Sequence, residues 1–136
     1  MRLEGLAATV LLLSAPAVAA AHHSVAAVYD REKAVSFSGR LTRIEFVNPH
    51  SKMEVEFTGK DGRPVRWTIE TSSPNGMERL GLNKESLAVG DSVKVVGYPA
   101  RSGGTEAWLT RLETSQRSYD VGFRRSSPAP TPTPLN

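Results

Sequence analysis

Three side chains in this sequence offer metal-binding chemistry at neutral pH: His22, His23 and His50. An imidazole titrates near pH ~6.5 and a free α-amine near ~7.7, so both present lone pairs to an ion under ordinary conditions. The adjacent pair His22-His23 follows a run of small residues, and His50 follows Asn48-Pro49. What the pair can do depends on where the chain is cut. Cleavage before Ala21 puts His23 third, and the amine, two backbone nitrogens and that imidazole then close a square plane suited to Cu(II) or Ni(II). Cleavage before His22 leaves an N-terminal histidine that chelates through amine and ring, with His50 as a third ligand. Cleavage before Ala20 weakens both arrangements. The candidate ligand set is therefore His22, His23 and His50, for Cu(II) first and for Ni(II) or Zn(II) after it. The same residues suit a solvated terminus and a turn histidine equally well.

Other chemistries are poorly served. The chain has no cysteine, which removes thiol catalysis, thiolate sites and disulfides. No Gly-x-Ser-x-Gly elbow, phosphate loop or paired-histidine helix is present. Glu45, Glu54, Glu56 and Glu70 could pair as acid and base, but carboxylates at alternate strand positions ordinarily form a solvated face. No catalytic residue is expected. An envelope enzyme using these carboxylates ranks behind a binding protein.

The elements that would carry the histidines can be read in order. Residues 1–21 have the form of a cleavable export signal: Arg2 in a positive start, an apolar run from Leu6 to Leu13, Pro16, and then Ala17 to Ala21 for the peptidase. The run is too short to span a bilayer. A periplasmic or secreted protein is expected. Residues 22–33 form an arm whose apolar residues are Ala26, Val28 and Tyr29. Residues 34–115 read as the folded domain. Val35, Phe37, Gly39 and Leu41 alternate with polar residues, and Ile44 and Phe46 continue on the other parity, the mark of a bulge within one long strand. Met53, Val55 and Phe57 form a second strand. A turn at Gly59-Lys60-Asp61-Gly62 leads to a third through Val65, Trp67 and Ile69. Ser73 caps a short helix that starts at Pro74 and places Met77 and Leu80 on one face. Val93 and Val95 mark a fourth strand, and Ala107 to Thr114 a fifth.

Three strands, a helix and two more strands, the first long and bulged, give an all-β domain with one short helix: a small OB-like antiparallel β-barrel, with an open β-sandwich as the alternative. The outward face of the second and third strands would carry Lys52, Glu54, Glu56, Arg66, Thr68 and Glu70. A nucleic-acid platform needs aromatic rings beside cations, and this face has three carboxylates and no ring. No nucleic-acid partner is expected. Trp67 and Phe57 are expected in the core. Trp108, Thr110 and Leu112 share a parity opposite to Leu109; Trp108 is expected in the core or at its rim, with an exposed partner contact as the alternative. Residues 116–136 are basic at first, with Arg117, Arg124 and Arg125, and then Pro/Thr-rich and disordered. The net charge of +3 is otherwise spread along the chain. The basic end suits an anionic surface or an envelope protein as partner.

One resemblance is carried by a series of short motifs: His22-His23-Ser24, Tyr29-Asp30, Gly39, Asn48-Pro49-His50, Trp67-Thr68-Ile69-Glu70, Ser73-Pro74, Gly90-Asp91 and Gly97-Tyr98-Pro99-Ala100. In this order, from about His22 to Thr114, they resemble a family of short exported bacterial proteins of uncharacterised function. The resemblance implies export and a small β fold, and it implies no particular activity. The sequence departs from that pattern at its end, with Ser118-Tyr119-Asp120-Val121-Gly122 and the Pro-Thr tail in place of a short Asp-Gly close. Two functional readings follow from the residues: a metal-binding protein, and a metal-free accessory module that contacts a protein or the envelope through its surface.

Overall fold

The computed structural model of the protein describes residues 24–121 and 128–136. The expected export signal, His22-His23 and Arg124-Arg125 lie outside the described residues. The element order is α1 (Val25–Val28), β1 (Val35–Glu45), β2 (Lys52–Thr58), β3 (Pro64–Glu70), α2 (Pro74–Arg79), β4 (Ser92–Pro99), β5 (Glu106–Glu113), β6 (Ser118–Asp120) and β7 (Thr133–Pro134).

Strand β1 explains how five strands close. Its first half pairs with β4, from Val35 opposite Gly97 to Arg40 opposite Ser92. Its second half pairs with β2, from Arg40 opposite Glu56 to Glu45 opposite Lys52. The register shifts between Leu41 and Arg43, where the apolar alternation changes parity in the sequence. A bulge adds one unpaired residue and bends the strand, so one strand serves two walls. The circuit is completed by β2 against β3, β3 against β5 and β5 against β4. The result is a closed five-stranded barrel with extra strands, the small β-barrel expected and not the open sandwich. It is not wholly antiparallel, because β3 and β5 run parallel over Thr68–Glu70. Among the described residues no helix is long and apolar enough to cross a membrane.

Inward-facing side chains fill the barrel, and the register shift between β4 and β5 lets Leu109 and Leu112, of opposite parity, both enter it. Leu41, Val55, Ile69, Leu109 and Leu112 are fully buried, and the Phe37 ring lies 5.2 Å from Phe57 and 5.3 Å from Trp67 between centroids. Trp67 is buried and Phe57 partly so. Helix α2 closes one end. Ser73 Oγ accepts from the Gly76 amide at 3.3 Å, and Pro74 opens the helix. Met77 is buried, but Leu80 caps the helix and is exposed; Leu82, past the Gly81 turn, takes the core position in its place.

At Gly39 the barrel wall leaves no room for a side chain. A Cβ there would lie 2.6 Å from the Glu56 carbonyl oxygen and 2.8 Å from Val55 Cγ1. Gly39→Ala should therefore lower stability by about 1–3 kcal/mol, the usual cost of overpacking. Urea unfolding should show a lower midpoint at unchanged slope, and an unchanged midpoint would mean that β1 and β2 are not so closely apposed.

The sheet continues beyond residue 115. Strand β6 pairs with the end of β5, with Tyr119 opposite Leu112 and buried in the core cluster. The segment expected to be disordered is also structured at its end. Thr133–Pro134 runs parallel to β1, Thr133 N–H donates to the Ala34 carbonyl and Leu135 N–H to that of Ser36, both at 2.9 Å. Prolines stand at 128, 130, 132 and 134. In a strand, alternate residues turn their N–H groups to the same side. Here the prolines take the side away from β1, and the donors at 133 and 135 face it.

Candidate functional site

Residues 24–33 do not hang free. Ser24 precedes the single turn α1, whose end is fixed when Asp30 N–H donates to the Pro99 carbonyl at 2.9 Å and Arg101 N–H to that of Val28. Arg101 Nε also donates to the Ala26 carbonyl at 3.0 Å. The Asp30 carboxylate accepts the Glu32 amide, which with Lys33 and Arg101 nearby holds its pKa below the ordinary value. Tyr29 is the anchor. Its ring is buried against Trp108, with centroids 5.9 Å apart, in a second apolar cluster with Tyr98 and Ala100. Trp108 belongs to this outer cluster and not to the barrel core, and the arm covers it. The ring expected in the core, at its rim or at an exposed contact is a floor for the arm.

The docked arm and the Asn48-Pro49-His50 loop face each other. Between them lies a cleft of about 390 Å³, walled by Val25, Val28 and Tyr29 on one side, by Val47 to His50 on the other, and by Lys52, Glu70 and Trp108. Val28 and Val47 stand exposed at its rim. One carboxylate joins the two walls. Glu70 Oε2 accepts the Tyr29 hydroxyl at 2.6 Å, and Oε1 meets His50 Nδ1 at 2.6 Å. An ionised carboxylate only accepts, so Nδ1 carries the hydrogen and neutral His50 keeps its lone pair on Nε2. Trp108 meets the His50 ring edge-on at 4.9 Å.

Glu70 differs from the other carboxylates of its face. Glu54 and Glu56 are bridged by Arg66, and Arg43 adds a further contact to Glu54. That is a solvated ion-pair ladder. Glu70, at the end of β3, has the tyrosine and the histidine. The register set by the Gly59–Gly62 turn puts Glu70 opposite Lys52, the first residue of β2 and two residues after His50. This signal was present in the sequence. The partnership with Tyr29 spans 41 residues and was not.

Of the three expected ligands, the structure places His50 in this cleft; His22 and His23 lie outside the described residues. Among the described residues no three histidine or carboxylate groups come together in a metal-binding cluster.

Burial and the bond to Glu70 together push the Tyr29 phenol far above the ordinary tyrosine range. A pKa raised in the folded state means that this contact contributes fully below the unfolded value of about 10 and is lost as pH rises beyond it. The difference in phenolate absorbance between the native protein and Tyr29→Phe should therefore stay near zero through pH ~10 and rise only in stronger alkali. Ionisation of Tyr29 at its ordinary pH would contradict the docked geometry.

No curated protein matches the chain. Residues 9–110 match a family described as a family of unknown function, DUF6152. That match spans most of the chain, including the arm, the Asn48-Pro49-His50 loop and the barrel through the first half of β5, and the protein belongs to this family.

Proposed function

We propose that the protein is exported, loses its leader near residue 21, and binds Cu(II) between its new N-terminus and His50. The observation that carries this reading is the cleft itself. Its one wall holds a histidine whose Nδ1 is fixed by a carboxylate, and its other wall is the arm that leads directly from His22-His23. A carboxylate on one ring nitrogen is the usual outer partner of a metal-binding histidine, because it fixes the ring and raises the basicity of the other nitrogen. Val25 lines the cleft, and consecutive Cα atoms are 3.8 Å apart, so the Cα atoms of His23 and His22 start within roughly 8 and 12 Å of Val25. His50 is the one histidine among the described residues, and in this reading the arm supplies the other ligands. An amine and imidazoles together suit the tetragonal preference of Cu(II).

The test is a copper titration under a competing chelator. Protein with the authentic N-terminus should bind tightly, and a form with one extra N-terminal residue should bind far more weakly, because its amine is displaced. Equal, weak binding by native, extended and His23→Ala proteins would refute the metal reading. The exposed Val28 and Val47 would then favour the cleft as the contact surface of a metal-free accessory module.

A further inference from the structure

The outer edge of β1 carries a second site, remote in sequence and chemistry from the histidine cleft. Between Ala34 and Ser38 this edge is paired on one side only, by β4, because β2 joins β1 farther along. An open strand edge is a template for another strand, and here the chain's own residues 133–136 fill it. They use three kinds of contact. The Thr133 and Leu135 amides donate to the carbonyls of Ala34 and Ser36. Leu135 packs against the core cluster. The Asn136 side chain then imitates a peptide unit: its Oδ1 accepts the Ser38 amide at 3.1 Å, and its Nδ2 donates to the Ser38 carbonyl at 2.6 Å.

We propose that this edge is a peptide-binding site of the strand-addition type, selective for an extended segment with proline at every second residue followed by Leu-Asn, and that residues 133–136 are its tethered occupant. The selectivity follows from hydrogen-bond bookkeeping. Proline at alternate positions removes only the donors that face away, so the ladder to β1 is complete while the ligand's outer edge cannot add a further strand. Proline also holds the free peptide near an extended conformation, which lowers the ordering cost of binding. Leu135 supplies the apolar anchor and Asn136 ends the ladder. Backbone bonds give affinity and the apolar contact of Leu135 with the core cluster gives specificity, in the manner of strand-addition sites. The few bonds involved are each worth only about 0.5–1.5 kcal/mol net, so tethering keeps the segment in place and leaves it displaceable.

The experiment is a binding titration with a fluorescently labelled peptide corresponding to residues 128–136. A chain truncated after Ser127 should bind it, and the full chain should bind it at least about tenfold more weakly, since a tethered competitor acts at an effective concentration near the millimolar range. A peptide with its prolines moved to the odd positions should not bind. If truncation prevents folding, the full chain carrying Leu135→Asp and Asn136→Ala takes its place and should gain affinity for the labelled peptide. Folded, edge-vacated protein that ignores the peptide, or binds the proline-shifted one equally, would overturn the proposal.

Discussion

Alanine at His50 should cut the Cu(II) affinity of the matured protein by at least 10–100-fold, the range that loss of an outer partner alone can produce at a metal site. Tyr29→Ala should lower it almost as much, although Tyr29 offers the ion nothing directly. The reason is the shared carboxylate. Tyr29 and His50 hold opposite oxygens of Glu70, and the Tyr29 ring seats the arm on Trp108. Removing the ring frees the arm, and with it the proposed approach of the amine and arm histidines to His50. The two substitutions should therefore be strongly non-additive, with the double variant little weaker than His50→Ala alone. Simple addition of the two losses would mean that arm docking and the histidine act separately.

The second large effect separates the two tryptophans. Trp67→Ala removes a large ring from the barrel core, where it packs on Phe37. A cost of about 3–5 kcal/mol is expected for such a deletion, a large share of the ~5–15 kcal/mol that holds a small domain together. Trp108 is as deeply buried, but it lies outside the barrel beneath the arm. Trp108→Ala should spare the barrel and release the arm, at a cost no higher than the lower end of that range. Thermal unfolding followed by far-UV dichroism should show a much lower midpoint for Trp67→Ala than for Trp108→Ala. Copper affinity should instead fall sharply for Trp108→Ala at temperatures where its barrel remains folded. Equal destabilisation by both would show that the outer cluster is part of the barrel's cooperative core.

Much of the barrel is legible in the sequence because its information is local. The parity change between Leu41 and Ile44 marks the bulge, and the Gly59–Gly62 turn sets the β2–β3 register. The alternation in β5 leaves the face of Trp108 open, and its burial outside the barrel depends on Tyr29 arriving from 79 residues away in the chain. Glu70 looks like its neighbours Glu54 and Glu56 in the alternating pattern; the β2–β3 register puts it beside the His50 loop, but its bond to Tyr29 depends on the arm arriving in three dimensions. The Pro-Thr tail misleads for a different reason. Proline content measures the donors a segment has lost, whereas strand pairing depends on which side they were lost from. At 128, 130, 132 and 134 they are all lost from one side.

The most direct measurement of the shared site is pulsed electron paramagnetic resonance on matured protein loaded with one equivalent of Cu(II). The remote nitrogen of each bound imidazole modulates the echo, so coordinated histidines can be counted and assigned by substitution. At least two imidazoles are expected, one of which disappears in His50→Ala and another on substitution of the arm histidines. Identical spectra from native protein and His50→Ala would contradict it, because the ion would then be held by the N-terminus alone.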